Sequence, residues 1–101
     1  MPTIIELRDE TGLLHCEYGP AYKDEFGTFW FKHGLYHRLD GPAADQTNGL
    51  KIWYVNGKPH RLDGPALEFL SGNKEWWING KQIHVKSQEE FERYLKLIVF
   101  I

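Results

Sequence analysis

Four histidines recur along the chain: His15, His37, His60 and His84 stand 22, 23 and 24 residues apart. Imidazoles at such spacing first raise metal ligation. Arg38 and Arg61, each directly after a histidine, raise anion binding as well. If each histidine rides on its own hairpin, equivalent side chains lie two strands apart, about 10 Å. Zinc holds its ligands at roughly 2.1 Å from one ion. The row therefore reads as a structural ladder, and no metal site is expected. Cys16 follows His15, but neighbours on a strand point to opposite faces. That disfavours a Cys–His nucleophile and leaves Cys16 as a small buried core residue. The paired carboxylates Asp9-Glu10, Asp24-Glu25 and Glu89-Glu90 fall at turns or at a helix start, where acidic residues are ordinary. No phosphate-binding loop, dinucleotide fingerprint or serine elbow occurs. Nothing joins nucleophile, base and orienting group. The expectation is a protein that is no enzyme and uses no cofactor.

The elements that must position these residues follow from a repeat. The "GPA" triplets begin at Gly19, Gly41 and Gly64; the turn glycines Gly34, Gly57 and Gly80 are 23 apart, each with a tryptophan four residues earlier (Trp30, Trp53, Trp76). Gly12 is the same turn in a degenerate first unit. Self-similarity at this period marks a repeat architecture. Asn56-Gly57 and Asn79-Gly80, with His33-Gly34 as a weaker version, fit type I′ hairpin turns between β-formers. "EFGT", "TNGL" and "SGNK" return the chain. A Gly-Pro inside the second strand of each hairpin implies a bulge or bend at the same height in every unit. Arg38 and Asp40, like Arg61 and Asp63, are two apart, which places each pair on one face of its strand. The predicted fold is mainly β: an antiparallel meander of about seven or eight strands in a curled sheet. Its units lie near 1–21, 22–43, 44–66 and 67–86, with a capping helix over 87–101.

The pattern "WYVNGKPHRLDGPA" resembles the variant form of the MORN-repeat family, whose roughly 23-residue hairpins carry an aromatic strand, an Asn-Gly-Lys turn and a following histidine. The resemblance covers about residues 12–84. It is most specific in the second and third units; the first has "HCEYGPA" for "HRLDGPA". Where the usual motif has glycine close after the histidine, this chain has Arg38 and Arg61. The resemblance implies scaffolding or membrane-associated modules, some in contact with phospholipids. The "HRxDGPA" variants look like repeats of bacteriophages and large viruses.

The last segment, "SQEEFERYLKLIVFI", opens with Ser87 as N-cap and Glu90 three residues on, a capping-box signature. Phe91, Tyr94, Leu95 and Ile98 form an amphipathic stripe. In the aromatic strands, Trp30 and Lys32, Trp53 and Val55, Trp76 and Ile78 share one side. Phe29 and Phe31, Ile52 and Tyr54, Glu75 and Trp77 share the other. Both sides are apolar enough to want cover, which one sheet and one short helix cannot easily give: either the sheet curls around its own core, or part of the aromatic surface meets something else. The leading expectation is an interaction module that meets a protein partner or itself through an aromatic sheet face. The candidate residues are Phe31, Trp53, Tyr54, Trp76, Trp77, Arg38, Arg61, His37 and His60. The alternative is a small phage or viral protein sequestering a nucleotide-like ligand of host defence, rings stacking the base and arginines holding phosphate. Peripheral phospholipid binding ranks below both. A net charge of −2 disfavours duplex nucleic acid and anionic membranes. One cysteine, no signal-peptide pattern and no stretch of 18 apolar residues point to the cytoplasm.

Overall fold

The computed structural model describes residues 4–99. In chain order the elements are β1 (Ile5–Glu6), β2 (Tyr22–Asp24), β3 (Gly27–Phe29), β4 (Phe31–Lys32), β5 (Leu35–Tyr36), β6 (Ala44–Gln46), β7 (Lys51–Ile52), β8 (Tyr54–Val55), β9 (Lys58–Pro59), β10 (Leu67–Glu68), β11 (Lys74–Ile78), β12 (Lys81–Ile83) and α1 (Gln88–Val99). Eight strands form one antiparallel sheet in the order β1-β2-β3-β6-β7-β10-β11-β12; β4-β5 and β8-β9 form two-stranded ribbons. This is the expected meander with a terminal helix. The sheet is open, with β1 and β12 at its edges.

Trp30 and Trp53 explain why strands are cut short. The Trp30 N–H donates to the Ala43 carbonyl (2.7 Å), and the His37 N–H donates to the Trp30 carbonyl (3.0 Å). One residue thus spans the gap opposite residues 38–42, which leave the sheet. Trp53 repeats this with Ala66 and His60, and Leu7 with Ala21 and His15. The expected bend is therefore a short excursion, the same in three units. Pro20, Pro42 and Pro65 lie in these excursions, where no ladder partner needs their missing N–H. Arg38-Asp40 and Arg61-Asp63 lie there too, so the pairs belong to loops and not to one strand face.

The inner turns are as expected. His33 and Gly34 have φ of 47° and 84°, Asn56 and Gly57 50° and 80°, Asn79 and Gly80 48° and 82°. Such left-handed pairs are what a two-residue hairpin needs. The first unit differs: a longer loop runs from Asp9 to Gly12, closed by Asp9 N–H to Leu13 carbonyl (2.8 Å) and Gly12 N–H to Asp9 carbonyl (3.0 Å).

The last unit corrects the histidine ladder. Trp76 pairs with Ile83, so Ile83, 8% exposed, stands where His37 and His60 stand earlier. His84 is displaced by one residue and exposed.

Helix α1 starts as expected: the Glu90 N–H donates to Ser87 Oγ (3.1 Å), and Glu90 Oε2 accepts from the Lys86 N–H (3.0 Å). Its Phe91, wholly buried, packs with Trp76 and Ile83, flanked by Ile78, Val85, Tyr94 and Leu95. The tail residues Phe100 and Ile101 lie outside the described residues. Elsewhere the buried apolar residues are Ala21, Ala43, Ala44, Ala66 and Ile52. The molecule measures 45 × 31 × 18 Å with a radius of gyration of 15.0 Å; a compact chain of this length has about 12.7 Å.

Candidate functional site

Each arginine of the repeat is locked into its own excursion. The Arg38 guanidinium carbon lies 3.9 Å from the centroid of Trp30, and that of Arg61 lies 4.0 Å from Trp53. Arg61 Nε donates to Asp63 Oδ1 (2.8 Å), and its terminal nitrogen to the Pro65 carbonyl (3.1 Å) and Glu68 Oε2 (3.2 Å). Arg38 does the same with Asp40 (2.9 Å) and the Pro42 carbonyl (3.2 Å). These arginine hydrogen bonds hold Asp40 and Asp63 below the usual carboxylate pKa. The glycines of "DGP" close the cage: a Cβ on Gly41 or Gly64 would come 2.7 or 2.6 Å from the guanidinium carbon. Tryptophan, arginine, aspartate and glycine are thus one device. The first unit lacks it, with Leu7 in the tryptophan position and half-buried Cys16 in the arginine position. Cys16 is thus not the core residue expected. In the last unit α1 takes over the cover, and Trp76 Nε1 donates to Gln88 Oε1 (2.8 Å).

The histidines join units. His15 Nδ1 accepts from the His33 N–H (3.0 Å), His37 Nδ1 from the Asn56 N–H (3.1 Å) and His60 Nδ1 from the Asn79 N–H (3.0 Å). Each imidazole therefore caps the turn of the following hairpin. Two backbone bonds flank every cap. At the middle junction these are Gly57 N–H to Tyr36 carbonyl (2.8 Å) and Arg38 N–H to Tyr54 carbonyl (3.1 Å). An Nδ1 that accepts must be unprotonated. Burial, then the charge of Lys32, lowers the pKa of His37. In the first unit Asp9 caps its own loop. Its Oδ1 accepts from the Thr11 hydroxyl (2.6 Å) and N–H (2.8 Å), and its Oδ2 from His33 Nδ1 (2.8 Å). These bonds hold Asp9 far below the usual carboxylate range.

Between successive excursions run open grooves. One of about 560 Å³ is lined by Arg38, Trp53, His60 and Arg61; one of about 520 Å³ by Trp30, His37 and Arg38. A wider one, about 1020 Å³, lies between the third excursion and α1, beside Arg61 and Trp76. Six of the expected site residues thus gather on the tryptophan face, where the arginine Nε and one terminal nitrogen, the Nδ1 of both histidines and the Trp76 Nε1 are engaged inside the protein.

The opposite face carries the other three. Strand register places Tyr22, Phe29, Ala44, Ile52 and Leu67 in one row across the sheet. Phe31 and Tyr36, Tyr54 and Pro59, Trp77 and Gln82 pair in a second row above it. The rings touch within the second unit, Tyr22–Phe29 centroids being 6.1 Å apart, Phe29–Tyr36 6.3 Å and Phe31–Tyr36 4.4 Å, and Tyr36–Tyr54 at 4.8 Å carries the contact to the third. Burial raises the pKa of the Tyr54 hydroxyl, helped by Tyr36. Charges stand at the margins: Glu6 and Arg8 at one edge, ion-paired at 2.8 Å, Glu75 at the other, and Asp24 at the rim, bonded to the Tyr22 hydroxyl at 3.0 Å. Helix α1 lies on the other face; on this one Ala44 and Ile52 are buried and the rings are half-buried.

The chain matches no family model, no curated protein and no solved structure.

The expected site therefore divides into two. Trp53, Trp76, Arg38, Arg61, His37 and His60 belong to the groove face and to the joints between units; Phe31, Tyr54 and Trp77 belong to the ring face. The expectation that both sides need cover holds for one side, because the arginines and α1 already cover the tryptophans. Tyr36, which touches three other rings, was missed. A two-residue turn at 33–34 sets Phe31 opposite position 36, so counting outward from the turn finds it. No helix among the described residues is long and apolar enough to cross a membrane.

Proposed function

We propose that the chain is a non-enzymatic interaction module of MORN-like hairpin repeats. It engages a protein surface, a partner or a second copy of itself, through the aromatic face that runs from Tyr22 to Trp77. The observation that carries this reading is the arrangement of the two faces. The apolar, ring-bearing face is the one that α1 does not cover, and its rings are half-exposed. The face with the arginines and histidines is occupied by its own ion pairs and turn caps. Antiparallel sheets commonly bury one face and solvate the other. Here the face patterned for burial is the open one. Aromatic side chains are also the usual anchors of protein contacts.

The test is a photo-crosslinking amino acid at position 54, with position 39 on an excursion tip as control. In the cells where the protein is made, position 54 is expected to trap a polypeptide, its own or another, and position 39 not. No polypeptide trapped at position 54, in a variant that melts like the parent, would refute the reading.

A further inference from the structure

The occupant of the aromatic face can be named. We infer that it is a second copy of this chain, the two sheets packing ring face against ring face as a symmetric β-sandwich. This rests on the interaction reading above and deepens it.

Area is the first argument. A folded monomer of 11.9 kDa is expected to expose about 5,950 Å², whereas this chain exposes 6875 Å². The excess, about 900 Å², is close to the roughly 800 Å² that each partner buries in a stable complex. Shape is the second. Among the described residues, large fully buried side chains are limited to Phe91, at the helix end. The first three units bury mainly alanines, so they have the pattern of half a core. Sheets that pack face to face stand about 10 Å apart with interleaved side chains. The Phe31–Tyr36–Tyr54 stack supplies one half of such a layer.

Charge placement is the third. The middle of the face carries no charged side chain, so two copies meet without burying an unpaired ion. Arg8 stands at one edge beside Glu6, and Glu75 stands at the other edge. A two-fold axis along the strands brings the Arg8 edge of one copy over the Glu75 edge of the other. An axis across the strands brings Arg8 towards the other copy's Glu6. Either axis gives an isologous contact that sets Arg8 near a carboxylate of the other copy, while Glu6 and Asp24 are bonded within their own chain. Continuation of the sheet edge to edge is a poorer route. The last unit has Ile83 in place of the histidine that would cap a further turn, and the first unit caps its own loop through Asp9.

Sedimentation equilibrium of the full chain tests the inference. The expected mass is twice 11.9 kDa, with Tyr54→Lys weakening association at least about thirty-fold and leaving the far-ultraviolet spectrum intact. Trp77→Gln is the milder second variant should Tyr54→Lys not fold. A wild-type chain that stays at 11.9 kDa into the hundreds of micromolar overturns the second copy. If position 54 then still traps a different polypeptide, the interaction reading survives; if it traps nothing, both fall. A dimer that survives Tyr54→Lys and Trp77→Gln but is lost on Leu39→Glu with Leu62→Glu, at the excursion tips, overturns the choice of face.

Discussion

Replacing Gly64 by alanine is expected to cost nearly as much as removing Arg61, and the two changes together no more than either. The added Cβ would lie 2.6 Å from the Arg61 guanidinium carbon and 2.9 Å from two of its nitrogens. Those atoms end a flexible side chain, so the backbone holds and the guanidinium leaves. What is lost is the cage. Stacking on Trp53 at 4.0 Å is worth about 1 kcal/mol at a partly exposed site. The bond to the Pro65 carbonyl, 3.1 Å, is charge-assisted and adds about 1.5 kcal/mol. Asp63 is 87% exposed, so its ion pair adds well under about 1 kcal/mol. The sum is about 2–3 kcal/mol, or roughly 10–20 °C in melting temperature for a domain of this size.

The decisive number is the coupling between the two changes. Independent losses would sum to about 5 kcal/mol in Gly64→Ala/Arg61→Ala, whereas loss of one shared cage leaves the double variant at about 2–3 kcal/mol. Thermal and urea unfolding of the four proteins, followed by tryptophan fluorescence and circular dichroism, supplies the cycle. Arg61→Lys is expected to behave as Arg61→Ala, because an ammonium lacks the planar fork that stacks and bonds at once. Additive costs, or a Gly64→Ala variant as stable as the parent, would refute the cage.

Three further outcomes are expected. His37 should make the array acid-sensitive: burial holds its pKa below the ordinary 6.5, so the unfolded chain takes up the proton first. The stabilisation is complete above that value and is lost as pH falls below it. The urea midpoint should therefore drop towards about pH 5.5, with His37→Gln flattening the slope; a midpoint that rises on acidification contradicts the cap. Ser87→Ala should cost about 1 kcal/mol by removing the α1 N-cap, seen as a melting temperature lower by several degrees, and an unchanged melt would show the cap to be idle. Leu7→Trp, Cys16→Arg and Tyr18→Asp together should build a third cage on the first excursion and raise the melting temperature, whereas Leu7→Trp alone should not.

The period was legible because glycine and asparagine at left-handed turn positions cannot be exchanged freely, so they mark each hairpin. The excursions were half legible. Gly-Pro signalled a break, but period-2 logic placed Arg38 with Asp40 on a strand that the chain has already left there. The His84 slip was visible in the letters. Gly34 to His37 and Gly57 to His60 are three residues, Gly80 to His84 is four, and the turn fixes the count that the histidine does not. The cage was hidden for a different reason. Arginine over tryptophan joins residues eight apart across a loop whose path only the folded backbone defines. The ring face was legible in its strands and incomplete at Tyr36, because cross-strand neighbours depend on turn length and not on strand composition.

These features meet in one physical point about reactive groups in a repeat. Imidazole, guanidinium and carboxylate recur here because each hairpin must solve the same two problems: capping the next turn and carrying the chain past a proline. Each solution uses polar atoms that a ligand would otherwise take. His37 offers its Nδ1 to Asn56, and Arg61 spends its Nε on Asp63 and one terminal nitrogen on Pro65 and Glu68. What remains unspent is apolar and flat. The rings from Tyr22 to Tyr54 cost little entropy to hold, because they already touch one another, and they carry no charge to desolvate. A surface prepared in that way gains from another apolar sheet more than from a small anion. It follows that Arg61→Ala should lower stability while leaving the association of folded chains unchanged, and Tyr54→Lys should do the reverse.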